Sequence, residues 1–150
     1  MSSNAQVRRR AVQAARGESP FDLLLVEAQI VDMATGEIRP ADVGIVGEMI
    51  ASVHPRGSRE DAHEVRSLAG GYLSPGLMDT HVHLESSHLP PERYAEIVLT
   101  QGTTAVFWDP HELANVLGVA GVRYAVDASR HLPLQVMVAA PSSVPSTPGL

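Results

Sequence analysis

The sequence predicts an α/β fold in which a small β-rich module precedes parallel strands that alternate with helices. From residue 20 to 73, short apolar runs are separated by turn-forming residues, a pattern typical of β-strands. From residue 74 onward, strand-sized apolar runs alternate with helix-sized segments, which is typical of β–α–β units. Residues 1–19 form an Arg-rich N-terminal leader that we predict to be a short helix.

The leader carries Arg8, Arg9, Arg10 and Arg16 and has no acidic residue before Glu18. This composition superficially resembles an organellar transit peptide. The segment shows no clear apolar face for a membrane or a receptor, so a solvated surface helix is the favoured interpretation.

The β-rich module begins with an aliphatic strand at residues 23–31. Two further apolar runs, 42–46 and 49–53, are separated only by Gly47 and Glu48, which predicts a tight hairpin. A polar segment at 55–61 reads as a loop. The module is too short to bury a core of its own comfortably.

The second region predicts parallel β–α–β units. Its first helix begins at Pro90-Pro91, since proline is tolerated in a first helical turn, and ends at Gly102. A longer helix at 113–130 is interrupted near Gly118 or Gly121. The expected strands and the final loop are, in order, 77–84, 103–108, 134–139 and 141–150.

Composition excludes several classes of protein. The chain has 150 residues, 11 basic and 17 acidic side chains, a net charge of −6, and neither cysteine nor lysine. Disulfides, thiolate zinc sites, Walker A loops and Schiff-base lysines are therefore excluded. The acidic balance argues against a nucleic-acid partner, and no apolar run approaches the roughly 20 residues that span a bilayer. We expect a cytoplasmic protein with no nucleic-acid or membrane partner.

The strand at 77–84 carries the most informative pattern. Alternate side chains of a strand share a face, so Leu77, Asp79, His81 and His83 would point one way. In a (β/α)8 barrel the active site lies at the C-terminal ends of the strands. We therefore predict that His81 and His83 hold a metal ion together, with Asp79 below them orienting a ring. The alternative is that the two histidines are merely polar residues at a strand end.

A second cluster, Asp109, His111 and Glu112, follows the next strand at the same end of the sheet. These groups can supply metal ligands, a substrate clamp or a proton relay. The alternative is helix capping, with Asp109 as N-cap, Pro110 at the first helical position and Glu112 at the third. Both interpretations stay open for Asp109 and Glu112, whereas His111 is not needed for capping and favours a functional role.

The remaining histidines carry weaker signals. His88 follows the first strand and is open to a role lining the site, whereas surface or capping roles are expected for His54, His63 and His131. His83 with Glu85 matches half of the zinc nucleobase-deaminase signature, but that fold requires a later cysteine pair and is excluded.

Residues 75–83 (Pro-Gly-Leu-Met-Asp-Thr-His-Val-His) resemble the first-strand signature of the amidohydrolase superfamily, metal-dependent hydrolases built on a (β/α)8 barrel. Within it, residues 84–87, 102–104, 109–116 (Asp-Pro-His-Glu-Leu-Ala-Asn-Val) and 140–145 (Ala-Pro-Ser-Ser-Val-Pro) resemble the adenine deaminase family. The resemblance covers essentially the whole chain.

This resemblance implies hydrolytic deamination of adenine to hypoxanthine and ammonia at a binuclear divalent-metal centre, with manganese foremost and iron or zinc also suitable. The alternatives are a dihydroorotase-like or hydantoinase-like enzyme acting on a cyclic amide, and an inactive truncated fragment. The complete enzyme is expected to be a homo-oligomer. The implied site residues are the metal ligands His81 and His83, their supports Asp79 and Glu85, and the substrate-pocket or relay residues Asp109, His111 and Glu112.

One departure from the family is expected to matter. A bridging carboxylate, two further histidines and a catalytic aspartate come from later barrel strands in the family, and a complete barrel takes about 250 residues. We therefore expect the N-terminal portion of a longer enzyme, inactive alone. Its predicted parts are the leader at 1–19, part of a composite β-sandwich at 20–73 and the first part of the barrel at 74–150.

Overall fold

The computed structural model describes residues 2–145, with side chains from residue 4 onward. The chain divides into two compact units, Met1–Pro75 and Gly76–Leu150. Of the loop predicted at 141–150, residues 141–145 are indeed without helix or strand, and 146–150 lie outside the described residues.

The first unit is a five-stranded sheet with one helix. Its elements are α1 (Ser2–Ala15), β1 (Phe21–Val31), β2 (Ile38–Val46), β3 (Met49–His54), β4 (Ala62–Ser67) and β5 (Tyr72–Leu73). Strand order is β3-β2-β1-β4, and β5 also pairs with β1. The β1–β2 and β2–β3 pairs are antiparallel, whereas β4 and β5 run parallel to β1.

The predicted hairpin is confirmed, because β2 and β3 are joined by Gly47 and Glu48 alone. Gly47 has a φ of 58°, a left-handed conformation that glycine adopts without steric cost. Strand β4 was not predicted individually. Its side chains are largely exposed, so it lacks the apolar alternation by which strands are read from a sequence.

Helix α1 packs against its sheet through small residues. Ala11 and Ala14 are buried together with Phe21, Leu24 and Val46. The expectation that this segment lacks an apolar face is therefore wrong. Alanine contributes little to a hydrophobic pattern, yet its small side chain allows a helix to approach a sheet closely.

His54 is buried, with 8% of its surface exposed, so its predicted surface role is wrong. Its ring stacks on that of Phe21, with centroids 5.8 Å apart and planes 10° apart. The Arg59 guanidinium lies 4.3 Å from the centroid of the same Phe21 ring. This stacking joins residues far apart in sequence, which explains why no local pattern indicated it. His63 and His131 are exposed.

The second unit confirms the predicted β–α–β order. Its described elements are β6 (Leu77–Val82), a 3₁₀ helix (Leu84–Ser87), α2 (Pro91–Thr100), β7 (Thr103–Trp108), α3 (His111–Leu117), α4 (Val119–Ser129) and β8 (Gln135–Val138). Within residues 76–145 the three strands are parallel, in the order β6-β7-β8. The core lies where helices cover the sheet and includes Trp108, Val106 and Leu134.

Strand β6 ends at Val82, two positions before the predicted end at residue 84. Leu84 instead begins the 3₁₀ helix, where its side chain is 1% exposed. The predicted interruption of the long helix lies at Gly118, whose φ of 60° separates α3 from α4. None of the helices in residues 2–145 is both long and apolar enough to cross a membrane.

Candidate metal centre

The C-terminal ends of β6 and β7 bring His81, His83 and Asp109 together. One ligand atom from each residue lies within 4.8 Å of those of the other two. The strands are parallel and Val82 pairs with Trp108, so the residues that follow them meet at one edge of the sheet. The Asp109 N–H donates to the Val82 carbonyl at 2.9 Å, which joins the two strand ends.

Asp109 lies at the centre of the cluster. Its Oδ2 atom is 3.2 Å from Nδ1 of His111 and 3.7 Å from Nε2 of His81. Its Oδ1 atom is buried and has no hydrogen-bond partner among residues 2–145. A buried carboxylate oxygen without a partner is costly, and a bound cation would satisfy it. The cluster therefore fits a divalent metal ion.

His83 is held in one orientation by the main chain of the neighbouring segment, which follows β7. Its Nδ1 atom is 2.9 Å from the carbonyl oxygen of Asp109. A carbonyl oxygen only accepts hydrogen bonds, so Nδ1 is the donor, and in a neutral ring the lone pair is then on Nε2. Metal-ligating histidines are commonly oriented by such a bond from their second ring nitrogen.

His111 completes a group of three imidazoles. Its ring centroid is 4.2 Å from that of His83, and the His81 and His83 centroids are 4.9 Å apart. The His111 side chain is 28% exposed, whereas that of His81 is 65% exposed. The structure thus brings together His81 and His83, at the end of β6, with Asp109 and His111, between the end of β7 and the start of α3.

The capping interpretation of Asp109 is wrong. Helix α3 begins at His111, and Pro110 is its N-cap residue, without a side-chain capping bond. Asp109 is one residue too early to cap this helix, and its carboxylate faces histidines instead. Glu112 lies in the first turn, but its carboxylate accepts a hydrogen bond from Ser86 at 2.6 Å.

Glu85 supplies the missing cap from another segment. Its Oε1 atom accepts from the main-chain N–H groups of Glu112 and Leu113, at 3.2 and 3.4 Å. Its Oε2 atom accepts from the indole N–H of Trp108 at 2.5 Å. Trp108 and Ser86 were not predicted as site residues. A tryptophan at the end of a buried strand could have indicated a polar partner nearby, because its indole N–H needs a hydrogen-bond acceptor.

Asp79 and His88 lie outside the cluster of imidazoles. The Asp79 carboxylate accepts from the main-chain N–H of His81 at 3.1 Å, so it contacts the backbone of a candidate ligand and not a ring. His88 is exposed, with a φ of 57°. It lines a different cavity of about 300 Å³ together with Trp108 and Tyr124.

A parallel sheet with potential nitrogen and oxygen metal ligands at its C-terminal edge is consistent with part of a barrel-type metal-dependent enzyme. Residues 72–148 match the model of the amidohydrolase family. The chain belongs to the amidohydrolase family.

Within this family, the chain is similar in sequence to several adenine deaminases. The chain is 99% identical over 150 residues to an adenine deaminase of Klebsiella pneumoniae subsp. pneumoniae, covering 100% of this chain and 25% of that protein. It is 75% identical over 143 residues to an adenine deaminase of Serratia proteamaculans, covering 95% and 24%. It is 58% identical over 147 residues to adenine deaminase 2 of Rhizobium meliloti, covering 98% and 25%. The chain thus spans about a quarter of the length of these relatives.

Solved structures show the same fold. L-hydantoinase from Arthrobacter aurescens superposes with a TM-score of 0.65 at 19% identity, over 79% of this chain and 27% of that one. A D-aminoacylase described with a binuclear metal centre gives a TM-score of 0.51 at 32% identity, over 59% and 18%. The predicted α/β class, as the first strands and helices of a (β/α)8 barrel, is confirmed.

Proposed function

We propose that the full-length protein carrying this chain deaminates adenine hydrolytically, releasing hypoxanthine and ammonia. The observation that carries the proposal is the cluster of His81, His83 and Asp109, in a chain 99% identical to an adenine deaminase. The identity supports the substrate, and the cluster supports hydrolytic chemistry that depends on a metal.

The donor set supports a divalent metal ion as the cofactor. Two imidazole nitrogens and a carboxylate oxygen suit manganese, iron or zinc, and three protein ligands are typical of a catalytic site. Within this proposal the centre is binuclear with manganese foremost, and its other ligands come from residues beyond this chain. A divalent ion in such a site supplies Lewis acidity and lowers the pKa of water toward neutrality.

The side chains of this chain would orient ligands and move protons. The hydrogen bond between His83 Nδ1 and the Asp109 carbonyl fixes the ring of one ligand. Deamination needs a proton delivered to the departing amine, which a positioned acid–base group provides. His111, hydrogen-bonded to Asp109 at 3.2 Å and partly exposed, is the candidate for that proton transfer. Glu112 is kept as a candidate for the substrate pocket.

The alternative of a cyclic-amide hydrolase has weaker support. It rests on the hydantoinase structure, whose 19% identity shows the fold alone. Cytoplasmic location, a homo-oligomeric state and the absence of nucleic-acid or membrane partners remain part of the proposal. The net charge of −6 supports only the exclusion of nucleic acid.

The test is an assay of the full-length protein, supplied with Mn²⁺, for hypoxanthine and ammonia from adenine. His81→Ala and His83→Ala should each lower kcat/KM more than about 100-fold, because even residues that support a metal ligand commonly account for 10–100-fold. His63→Ala, an exposed histidine of the first unit, is the matched control and should retain activity. Full activity in both ligand variants would refute the assignment, and turnover of dihydroorotate or a hydantoin without adenine would favour the alternative.

A further inference from the structure

The turn between β7 and α3 is held at both of its ends by one carboxylate. Trp108, the last residue of β7, donates its indole N–H to Glu85 Oε2 at 2.5 Å. On the other side of the turn, the N–H groups of Glu112 and Leu113 donate to Glu85 Oε1. Asp109, Pro110 and His111 lie between these anchored positions.

The second and third residues of α3 depend on this carboxylate for a hydrogen-bond acceptor. The first N–H groups of a helix have no acceptor within the helix, and an N-cap side chain usually accepts from the second or third residue. Pro110 occupies the N-cap position and has no side-chain acceptor. Glu85 therefore acts as the cap from a separate segment, with a charged acceptor that makes stronger hydrogen bonds than a neutral one.

Glu85 also lies two residues after His83, on the 3₁₀ helix that follows β6. A second bond, from Ser86 Oγ to Glu112 Oε1 at 2.6 Å, joins the same two segments. Glu85 thus connects the segment of the histidine pair with the turn that bears Asp109 and His111. Its carboxylate does so through Trp108 and the main chain of α3, and not through an imidazole.

We infer that Glu85 is a positioning residue, which holds Asp109 and His111 in register with His81 and His83. This inference deepens the proposed function, and the effect of Glu85 on adenine turnover rests on that function. The effect of Glu85 on the metal-free protein does not depend on the reaction. Loss of the carboxylate frees the turn, so that Asp109 no longer meets the two histidines in one arrangement.

The first measurement is amide hydrogen exchange of the full-length, metal-free protein. In Glu85→Ala the amides of Glu112 and Leu113 should exchange about tenfold faster, because they lose their acceptor. Glu85→Gln keeps one carbonyl oxygen but presents an amide to the other set of donors, so it should show a smaller acceleration.

The second measurement is the affinity for Mn²⁺, by competition with a chelator. Glu85→Ala should bind the ion about 10–100-fold more weakly, and Glu85→Gln should lie between it and the wild type. Added Mn²⁺ should restore adenine turnover in Glu85→Gln but not in His81→Ala. If Glu85 only stabilised the fold, its substitution would lower the melting temperature and leave the Mn²⁺ affinity unchanged.

The controls are Glu92→Ala and Glu92→Gln, which alter an exposed carboxylate in the first turn of α2. Both should match the wild type in amide exchange, Mn²⁺ affinity and adenine turnover.

If Glu85→Ala does not fold, the Glu85→Gln variant decides whether Glu85 is a positioning residue. A folded Glu85→Gln with wild-type exchange and wild-type Mn²⁺ affinity would overturn the inference. A wild-type protein that binds Mn²⁺ but leaves adenine unchanged would refute the deaminase proposal alone, since the first two measurements do not use adenine.

Discussion

The Oδ2 atom of Asp109 lies 3.7 Å from Nε2 of His81, across the ends of two neighbouring strands. This separation is too long for a good hydrogen bond, so neither atom fully satisfies the other. The second carboxylate oxygen of Asp109 is buried without a partner among the described residues. The pair is therefore better suited to sharing a cation than to forming a direct contact.

Asp109→Asn should change the stability of the metal-free protein and its affinity for Mn²⁺ in opposite directions. The substitution removes a buried carboxylate whose Oδ1 atom has no partner within residues 2–145 and keeps one oxygen for His111, so it should stabilise the metal-free protein by about 1 kcal/mol. The same change should weaken Mn²⁺ binding by more than about tenfold, because an amide is a poorer ligand than a carboxylate. Thermal unfolding without metal and chelator competition measure the two effects in the full-length protein. Asp127→Asn, an exposed aspartate on α4, is the control, and equal behaviour of the two variants would contradict the prediction.

Gly76, which precedes β6, has no room for a side chain. A Cβ atom placed there would lie 2.1 Å from Oγ1 and 2.4 Å from Cγ2 of Thr104 on β7. Gly76→Ala should therefore push β6 away from β7 and destabilise the protein by about 1–3 kcal/mol. Denaturant unfolding of the full-length protein would measure this loss.

The Thr104→Ala background provides the control for that variant. It removes the two atoms that Gly76→Ala would meet first and leaves only Cβ, at 2.7 Å. Gly76→Ala should then cost clearly less than it does beside threonine, and the two substitutions should be non-additive. An equal cost in both backgrounds would show that the contact is not the reason for the glycine.

His54 should make the first unit less stable in mild acid. Burial lowers the pKa of His54, the nearby Asp42 and Asp61 oppose this shift and Arg59 favours it. An unfolded chain's histidine titrates near pH 6.5, so below that pH the unfolded state binds the proton more readily than the folded state. The contribution of neutral His54 is thus complete above about pH 6.5 and is lost as the pH falls toward the lowered folded-state pKa.

The measurement is the melting temperature of the full-length protein at pH 7.5 and pH 5.5. His54→Phe retains a ring to stack on Phe21 and cannot be protonated, so its decrease over this interval should be smaller than that of the wild type. His63→Phe changes an exposed histidine and should follow the wild type. A decrease in His54→Phe as large as that of the wild type would count against the prediction.

Asp42 should be important for the stability of the β module. It is 1% exposed, and its two oxygens accept from the N–H groups of Glu27 and Gly57 at 3.1 and 2.7 Å. Glu27 has a φ of 58° at a β-bulge, a conformation that a non-glycine residue adopts only when its surroundings hold it.

Asp42→Ala leaves both donors without this acceptor and should cost about 1–3 kcal/mol in the free energy of unfolding. Asp42→Asn keeps one oxygen and should cost less. Denaturant unfolding of the full-length protein would distinguish them, with Asp127→Asn again as the exposed control. Identical losses for Asn and Ala would show that the second hydrogen bond contributes nothing.

The elements that could be predicted were those whose signal is local. Gly47 in a two-residue hairpin and Gly118 between two helices occupy left-handed conformations that the residue type itself favours. The parallel β–α–β order followed from the alternation of apolar runs, and the position of His81 and His83 near a strand end followed from the same pattern. The periodicity of apolar residues and the conformational preference of a residue type act over a few positions. They can therefore be recognised in a sequence without knowledge of tertiary contacts.

Other features depended on partners distant in the chain. The burial of His54 required Phe21, and the packing of α1 required a sheet to receive Ala11 and Ala14. Neither has a local pattern that distinguishes it from an exposed segment.

The sequence by itself determined the α/β class and the position of the histidine pair near a strand end. Only the tertiary structure excluded the capping role of Asp109, because that role depends on which atoms its carboxylate meets. The helix that Asp109 was expected to cap takes its acceptor from Glu85 on another segment. Asp109 is thereby left facing His81 and His111, with one buried oxygen unpaired within residues 2–145. Such pairings arise from long-range contacts, for which the spacing of residues along a chain carries no information.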